Sequence, residues 1–134
     1  MKKIILWIWQ FPQNILGFLM IKIMRAKHNG IFFKCPLFHS GVSLGNYMIF
    51  DYRIYVELND YRHECGHQKQ SLYLGWFYLP LIGLPSMMGN ILHRFINFDY
   101  YSLPWEKWAD KLGKVDRRRN SHFIFSSKKV IMKI

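Results

Sequence analysis

Acidic residues are scarce in this chain. Eight Asp and Glu stand against nineteen Lys and Arg, a formal net charge of +11. Such a surplus favours anionic partners, either a phospholipid surface or nucleic acid. The zinc-finger spacing, the aromatic-basic ribonucleoprotein signature and the helix-turn-helix pattern are all missing, which makes nucleic acid the unlikely one of the two. Two cysteines, Cys35 and Cys65, are too few for a disulfide framework and are not spaced as Cys-x-x-Cys, so both read as free thiols in a reducing compartment. There is no internal repeat and no low-complexity tract. Nor is there a long unbroken apolar run. Residues 4–24 have the length to cross a bilayer, but Gln10, Pro12, Gln13 and Asn14 interrupt them near the middle, where polar groups are costly in hydrocarbon. That interruption, with no Ala-x-Ala site after it, also argues against a secretory signal.

What is present suits one domain with a modest core: 134 residues, 51% hydrophobic and 18% aromatic. The positive charge gathers at the ends, in Lys2, Lys3, Lys22, Arg25 and Lys27, then in Arg117, Arg118, Arg119, Lys128, Lys129 and Lys133. We expect an N-terminal helical segment over 1–27, a metal-binding core over 28–115 and a basic tail over 116–134. Two readings of residues 1–27 stay open. They form an interfacial helix, with Trp7, Trp9 and Phe11 at headgroup depth and the lysines beside anionic lipid, or they pack on the protein's own core. The expected location is cytoplasmic, peripheral to a membrane.

The chemistry begins at His63-Glu64-Cys65-Gly66-His67, an H-E-x-x-H pattern. Four residues of helix make slightly more than one turn, so His63 and His67 project from one face and can share a Zn²⁺, with Glu64 beside them. A catalytic zinc takes a third protein ligand and keeps one position open. Glu106-Lys107-Trp108-Ala109-Asp110 offers it: Glu106 as ligand, and Asp110, on the same helical face, as the carboxylate that fixes a histidine's tautomer.

H-E-x-x-H followed by E-x-x-x-D on a later helix resembles the gluzincin metallopeptidases, the thermolysin type. The resemblance implies His63, His67 and Glu106 as zinc ligands, Glu64 as the general base that deprotonates the attacking water, and Asp110 as the orienting group. It implies a peptide or protein substrate, paired with a strand edge that we place at residues 44–49. The wider pattern, with Tyr78-Leu79-Pro80 and Gly83-Leu84-Pro85-Ser86 between the motifs, is similar to small bacterial proteins with gluzincin-like motifs, and the likeness spans residues 42–113. The linker between the motifs is longer than in thermolysin, and no residue aligns with its histidine that stabilises the transition state. His93, Arg94, Tyr100 and Tyr101 are the nearby donors. A metzincin would need a third histidine where this chain reads Gln68-Lys69-Gln70-Ser71. An intramembrane protease would need a less polar motif helix.

The expected fold is α+β: a small zincin-like domain, its short sheet packed on the H-E-x-x-H helix and a second ligand-bearing helix alongside. Helices are expected over 4–27 with a break at Pro12, over 61–74 after an Asn59-Asp60 cap, and over 105–112, stopped by Gly113. Strands are expected over 31–38 and 42–54, with Gly41 as a turn and Gly45 as a bend, and a terminal one at 122–125 or 130–134. Residues 77–92 read as a buried loop leading into a short helix near Pro85-Ser86. The tryptophans read as core, and the Arg117-Arg118-Arg119 run as a solvated face. The alternative function is an inactive zinc-binding, membrane-associated scaffold. A basic nucleic-acid binder with an accidental motif ranks third.

Overall fold

In the computed structural model, residues 1–37, 40–117, 123–126 and 129–132 are described, the last two stretches by backbone only. Phe38, Arg118, Arg119, His122, Lys128, Lys133 and Ile134, which enter the sequence reading, lie outside them. The elements follow in order. Helices α1 (Lys2–Trp9) and α2 (Phe11–Ile23) lead into strands β1 (Lys27–His28), β2 (Phe33–Cys35), β3 (Gly41–Leu44) and β4 (Tyr47–Asp51). Helix α3 (Leu58–Leu74) comes next, then a 3₁₀ turn at Gly75–Phe77, a wide π turn at Leu79–Gly83, and α4 (Leu84–Leu92). Helix α5 (Pro104–Gly113) precedes a hairpin of β5 (Phe123–Ser126) and β6 (Lys129–Met132). The small α+β domain expected from sequence is the one observed, with a short mixed sheet and two ligand-bearing helices.

The four-stranded sheet runs β1-β2-β4-β3, with β2 parallel to β4 and the other pairings antiparallel. The expected single strand over 42–54 is instead a hairpin. Gly45, at φ 62°, takes the first of two turn positions, as a tight hairpin with a leading glycine requires, and Leu44 pairs with Tyr47. Gly41 opens β3 rather than turning the chain. Phe32, Met48, Phe50 and Val56 form one buried cluster, with Tyr61 and Cys65 of α3 packed on it; Cys35, Leu37 and Ile49 form another on the α2 side.

Helix α3 starts earlier than the Asn59-Asp60 reading. Glu57 is the N-cap, and Asp60 completes a capping box by accepting the Glu57 backbone N–H at 3.1 Å. Its end at Gly75, φ 53°, is as expected. Helices α3 and α5 touch backbone to backbone. A β-carbon at Gly66 would collide with the Ala109 carbonyl oxygen, and one at Gly113 with the Arg62 carbonyl oxygen. Gly113 therefore does not stop α5 by its conformational freedom; the left-handed residue is Lys114, φ 56°. Residues 77–92 are more helical than expected. The wide turn precedes Pro85, whose ring would meet the Leu81 carbonyl in a regular α-helix. Both stretches named for a terminal strand contribute one, paired from Phe123↔Met132 to Ser126↔Lys129.

Among the described residues no single helix is long and apolar enough to cross a membrane. The α1–α2 pair would pass together by length and composition, but is bent by 86°. Its polar break is turned inward. Gln10, Gln13 and Asn14 are buried, Gln13 Nε2 donates to Ser71 Oγ and to the Gly75 carbonyl (both 2.8 Å), and Ser71 Oγ donates to Gln10 Oε1 at 2.6 Å.

Candidate metal centre

The close approach of α3 and α5 sets the site. One turn of α3 presents His63 and His67, and the first turn of α5 presents Glu106, which is fully buried. His63 Nε2 and His67 Nε2 are 3.1 Å apart, and Glu106 Oε2 lies 3.0 Å from the first and 3.2 Å from the second.

The outer nitrogens decide what those three atoms are. His63 Nδ1 meets Asp110 Oδ1 at 2.6 Å, and a carboxylate only accepts, so Nδ1 carries the proton. His67 Nδ1 meets Gln70 Oε1 at 2.7 Å; Gln70 Nε2 donates to the Trp105 carbonyl at 2.8 Å, which turns the amide oxygen toward the histidine. Two neutral imidazoles so arranged have no proton left on Nε2. Two nitrogen lone pairs and a carboxylate oxygen then face one another, buried, with no hydrogen among them. Only positive charge makes that favourable. A proton serves in part: burial draws the His63 imidazole down, but its hydrogen bonds to Asp110 and Glu106 outweigh this and hold it at about 9. Burial would raise the Glu106 carboxyl, yet His63 and His67 hold it well below the usual carboxylate range. A metal ion serves all three donors at once. Four ligands at the ~2.0–2.1 Å typical of zinc stand roughly 3.3 Å from one another, close to the separations here, and the N₂O donor set suits zinc.

Further residues hold these ligands in place. Tyr100 O–H donates to Glu106 Oε1 at 2.9 Å, with Ser86 Oγ at 2.6 Å from the Tyr100 oxygen. Burial, then the Glu106 charge, push the Tyr100 phenol far up, so it stays a donor. Arg117 grips Asp110 with Nε to Oδ2 at 2.7 Å and Nη2 to Oδ1 at 2.8 Å, and its guanidinium lies 3.5 Å from the Tyr101 ring centre. Arg117 is solvent-exposed, at 37%, as expected of the Arg117-Arg118-Arg119 run, and it also braces Asp110. Gln70, Tyr100, Ser86 and Arg117 had no orienting role in the sequence reading. Gln70 had a usable signal, three residues beyond His67 on the same helix. Arg117 had none, since it heads a basic run.

A cleft of about 470 Å³ opens on this centre, with Gly41, His63, Glu64, His93, Arg94 and Tyr101 among its walls. Glu64 is 6% exposed, and its Oε2 has no hydrogen-bond partner. A β-carbon at Gly41 would come within 3.2 Å of Glu64 Oε1, so the glycine leaves the carboxylate room. Ser43 Oγ donates to the Glu64 carbonyl at 2.9 Å, docking β3 on α3. The edge strand beside the site is β3. The 44–49 edge expected from sequence is not available, because β4 lies between β2 and β3. Asp51 N donates to the Ser40 carbonyl at 2.9 Å, so by ladder alternation the neighbouring Gly41 backbone groups point to the open side.

His63-Glu64-x-x-His67 with Glu106, in a compact α+β fold, matches the gluzincin-type zinc-binding arrangement of metallopeptidases, and its geometry is that of a Zn²⁺ site in a zinc-dependent peptidase. No family model matches the chain, and neither does any curated protein or solved structure.

Proposed function

We propose that this protein is a zinc metallopeptidase in which His63, His67 and Glu106 hold the metal, Glu64 is the general base, and Asp110 fixes His63. The observation that carries the reading is the convergence of two imidazole Nε2 atoms and one buried carboxylate oxygen within 3.0–3.2 Å. When bound, zinc supplies Lewis acidity, acidifying water and polarising a carbonyl. Glu64, buried and with one oxygen unpartnered, takes the proton from water as its oxygen bonds to the scissile carbon. It then delivers that proton to the departing nitrogen, so the C–N bond breaks to an amine and a carboxylic acid, whose remaining water-derived proton is released to the amine or to solvent as the acid ionises. An extended peptide finds backbone partners on β3 at Gly41, where the cleft meets the open sheet edge. Tyr100 and Ser86 keep Glu106 aimed inward. Asp110, itself held by Arg117, keeps the His63 proton on Nδ1. The apolar, basic helices over 1–27 support a peripheral membrane location, with anionic lipid as a second partner.

The test compares wild type with Glu64→Gln over a broad peptide library. Wild type should carry about one zinc per chain. The variant should keep its zinc and lose about 10²–10⁴-fold in hydrolysis, the usual worth of a positioned general base. Equal behaviour of the two proteins, both loaded with zinc, would leave the scaffold reading standing.

A further inference from the structure

The α1–α2 pair is turned inside out for a water-soluble protein. Its fully buried side chains are polar: Gln10, Gln13 and Asn14 are at most 1% exposed, while Met20 and Ile21 further along α2 are half-buried against the core. Its outward positions are apolar, with Ile4, Ile8, Leu16, Phe18, Leu19 and Ile23 all exposed. The polar groups at the break, Gln13 Oε1 excepted, are engaged internally: Asn14 Oδ1 accepts from Asn46 N at 2.8 Å and its Nδ2 donates to the Trp7 carbonyl at 3.1 Å. Lipid rewards this distribution and water does not, since backbone and side-chain polar groups must be satisfied inside when hydrocarbon lies outside.

A second segment repeats the pattern. Between Lys69 and Arg94 the chain has no Asp, Glu, Lys or Arg. Tyr78 and Ile82 point into the core, while Phe77, Leu81, Met87, Met88 and Ile91 are more than half exposed. The two apolar surfaces join. Trp76 Nε1 donates to the Ile8 carbonyl and Trp9 Nε1 to the Leu72 carbonyl, both at 2.8 Å, and the Phe11 and Trp76 rings lie 6.5 Å apart. Trp9 and Trp76, read from sequence as core, are 45% and 56% exposed at this seam. An exposed apolar area of this extent marks an interaction surface.

Charge selects the occupant. Lys2, Lys3 and Lys22 lie on the same two helices, among the basic residues that give the chain +11. Length selects the mode. Helix α2 is 13 residues, roughly 20 Å, against a hydrocarbon core of about 30 Å, and an 86° bend separates it from α1. Such a pair lies in one leaflet, its apolar face about 5–10 Å deep. The cleft follows from this seating: α4, which carries Met87, Met88 and Ile91 outward, also supplies Asn90 to the cleft wall, and His93 and Arg94 just beyond it do the same.

We infer that α1–α2 and residues 76–92 form one platform that seats in a single leaflet of an anionic membrane and holds the metal cleft against the bilayer surface, where its substrates are membrane-proximal polypeptide segments. The substrate half of this inference rests on the peptidase reading; the platform does not.

The test is flotation of the zinc-loaded full chain with vesicles of phosphatidylcholine mixed with phosphatidylglycerol, and of phosphatidylcholine alone. Wild type and Glu64→Gln should float equally, more strongly on the anionic vesicles. Leu16→Glu with Leu19→Glu, and separately Met88→Glu with Ile91→Glu, should each cut partitioning by roughly tenfold while zinc content stays at one per chain. Brominated lipid should quench tryptophan fluorescence less in Trp76→Phe than in wild type, a readout that survives if a charged variant misfolds. A protein that stays unbound, or that elutes as a stable dimer and does not float, overturns the platform. So does loss of flotation from the α2 variant with none from the α4 variant. Cleavage is then compared between one peptide anchored on the vesicles and the same peptide free. Preference for the anchored form, lost in the platform variants, is expected, and equal rates overturn the substrate assignment. If neither peptide is cut while flotation holds, the peptidase reading fails and the platform stands.

Discussion

Helix α3 carries two buried polar clusters, and they differ in one respect. Toward its C-terminal end, Ser71 joins Gln10 and Gln13 in a chain of donors and acceptors: amide N–H to hydroxyl, hydroxyl O–H to amide oxygen. Each contact has its hydrogen. A turn earlier, His63, His67 and Glu106 converge within 3.0–3.2 Å, but with neutral imidazoles their facing atoms are all acceptors, and only an added proton or a metal ion joins them. The first cluster needs no added charge, with only the neutral Gln13 Oε1 left without a partner, and fastens α1–α2 to the core. The second is complete only with a cation. Burial of polar residues alone therefore does not mark a functional centre; the balance of protons does.

Breaking the second cluster should show the largest effect. Glu106→Ala removes a ligand and should abolish stoichiometric zinc in elemental analysis, where His93→Ala leaves it intact. The orienting groups come next. Asp110→Asn should weaken zinc by about 10–100-fold, the usual cost of losing the partner of a ligating histidine. Gln70→Ala, which removes a neutral acceptor from His67, should fall near the lower end of that range. Competition with a chromogenic chelator ranks the three. The first cluster should answer to different readouts. Ser71→Ala leaves buried Gln10 Oε1 without its donor and Gln13 Nε2 with the Gly75 carbonyl alone, and should cost about 1–3 kcal/mol in denaturant unfolding with no change in zinc affinity.

Acidity sharpens the contrast further. In the metal-free protein His63 is raised from 6.5 to about 9. A raised histidine adds stability that is fully present below about 6.5 and is lost as pH rises through about 9. Glu106, held low, adds stability that is fully present above about 4.5 and is lost progressively as pH falls below it. Zinc must displace the His63 proton, so uptake near neutral pH should release about one proton per ion, and none well above 9. Calorimetry in buffers of different ionisation enthalpy measures this. The Ser71 cluster has no titrating group and contributes nothing to it.

Much of the site was legible because helical periodicity is local. The i,i+4 spacing of His63 and His67, and of Glu106 and Asp110, fixed a common face for each pair whatever the rest of the chain does. Pro104 and Gly75 likewise marked their helix ends. Local reading failed where a residue's reason lay in another segment. Gly113 looked like a stop signal but is needed where α5 crosses the Arg62 carbonyl. Asp60 looked like a cap and is the third residue of a box begun at Glu57. Gln10, Gln13 and Asn14 looked like a polar interruption of an apolar helix, although they face Ser71, Gly75 and Asn46 across the fold.

By itself, then, the order of residues determined which side chains share a helical face, because spacing along a helix requires no distant contact. Only the tertiary structure decided that β3 and not residues 44–49 is the open edge, that Arg117 braces Asp110, and that the polar side of α2 turns inward. Those outcomes depend on which segments meet after the chain closes, and side-chain pairing across long loops leaves no period in the sequence.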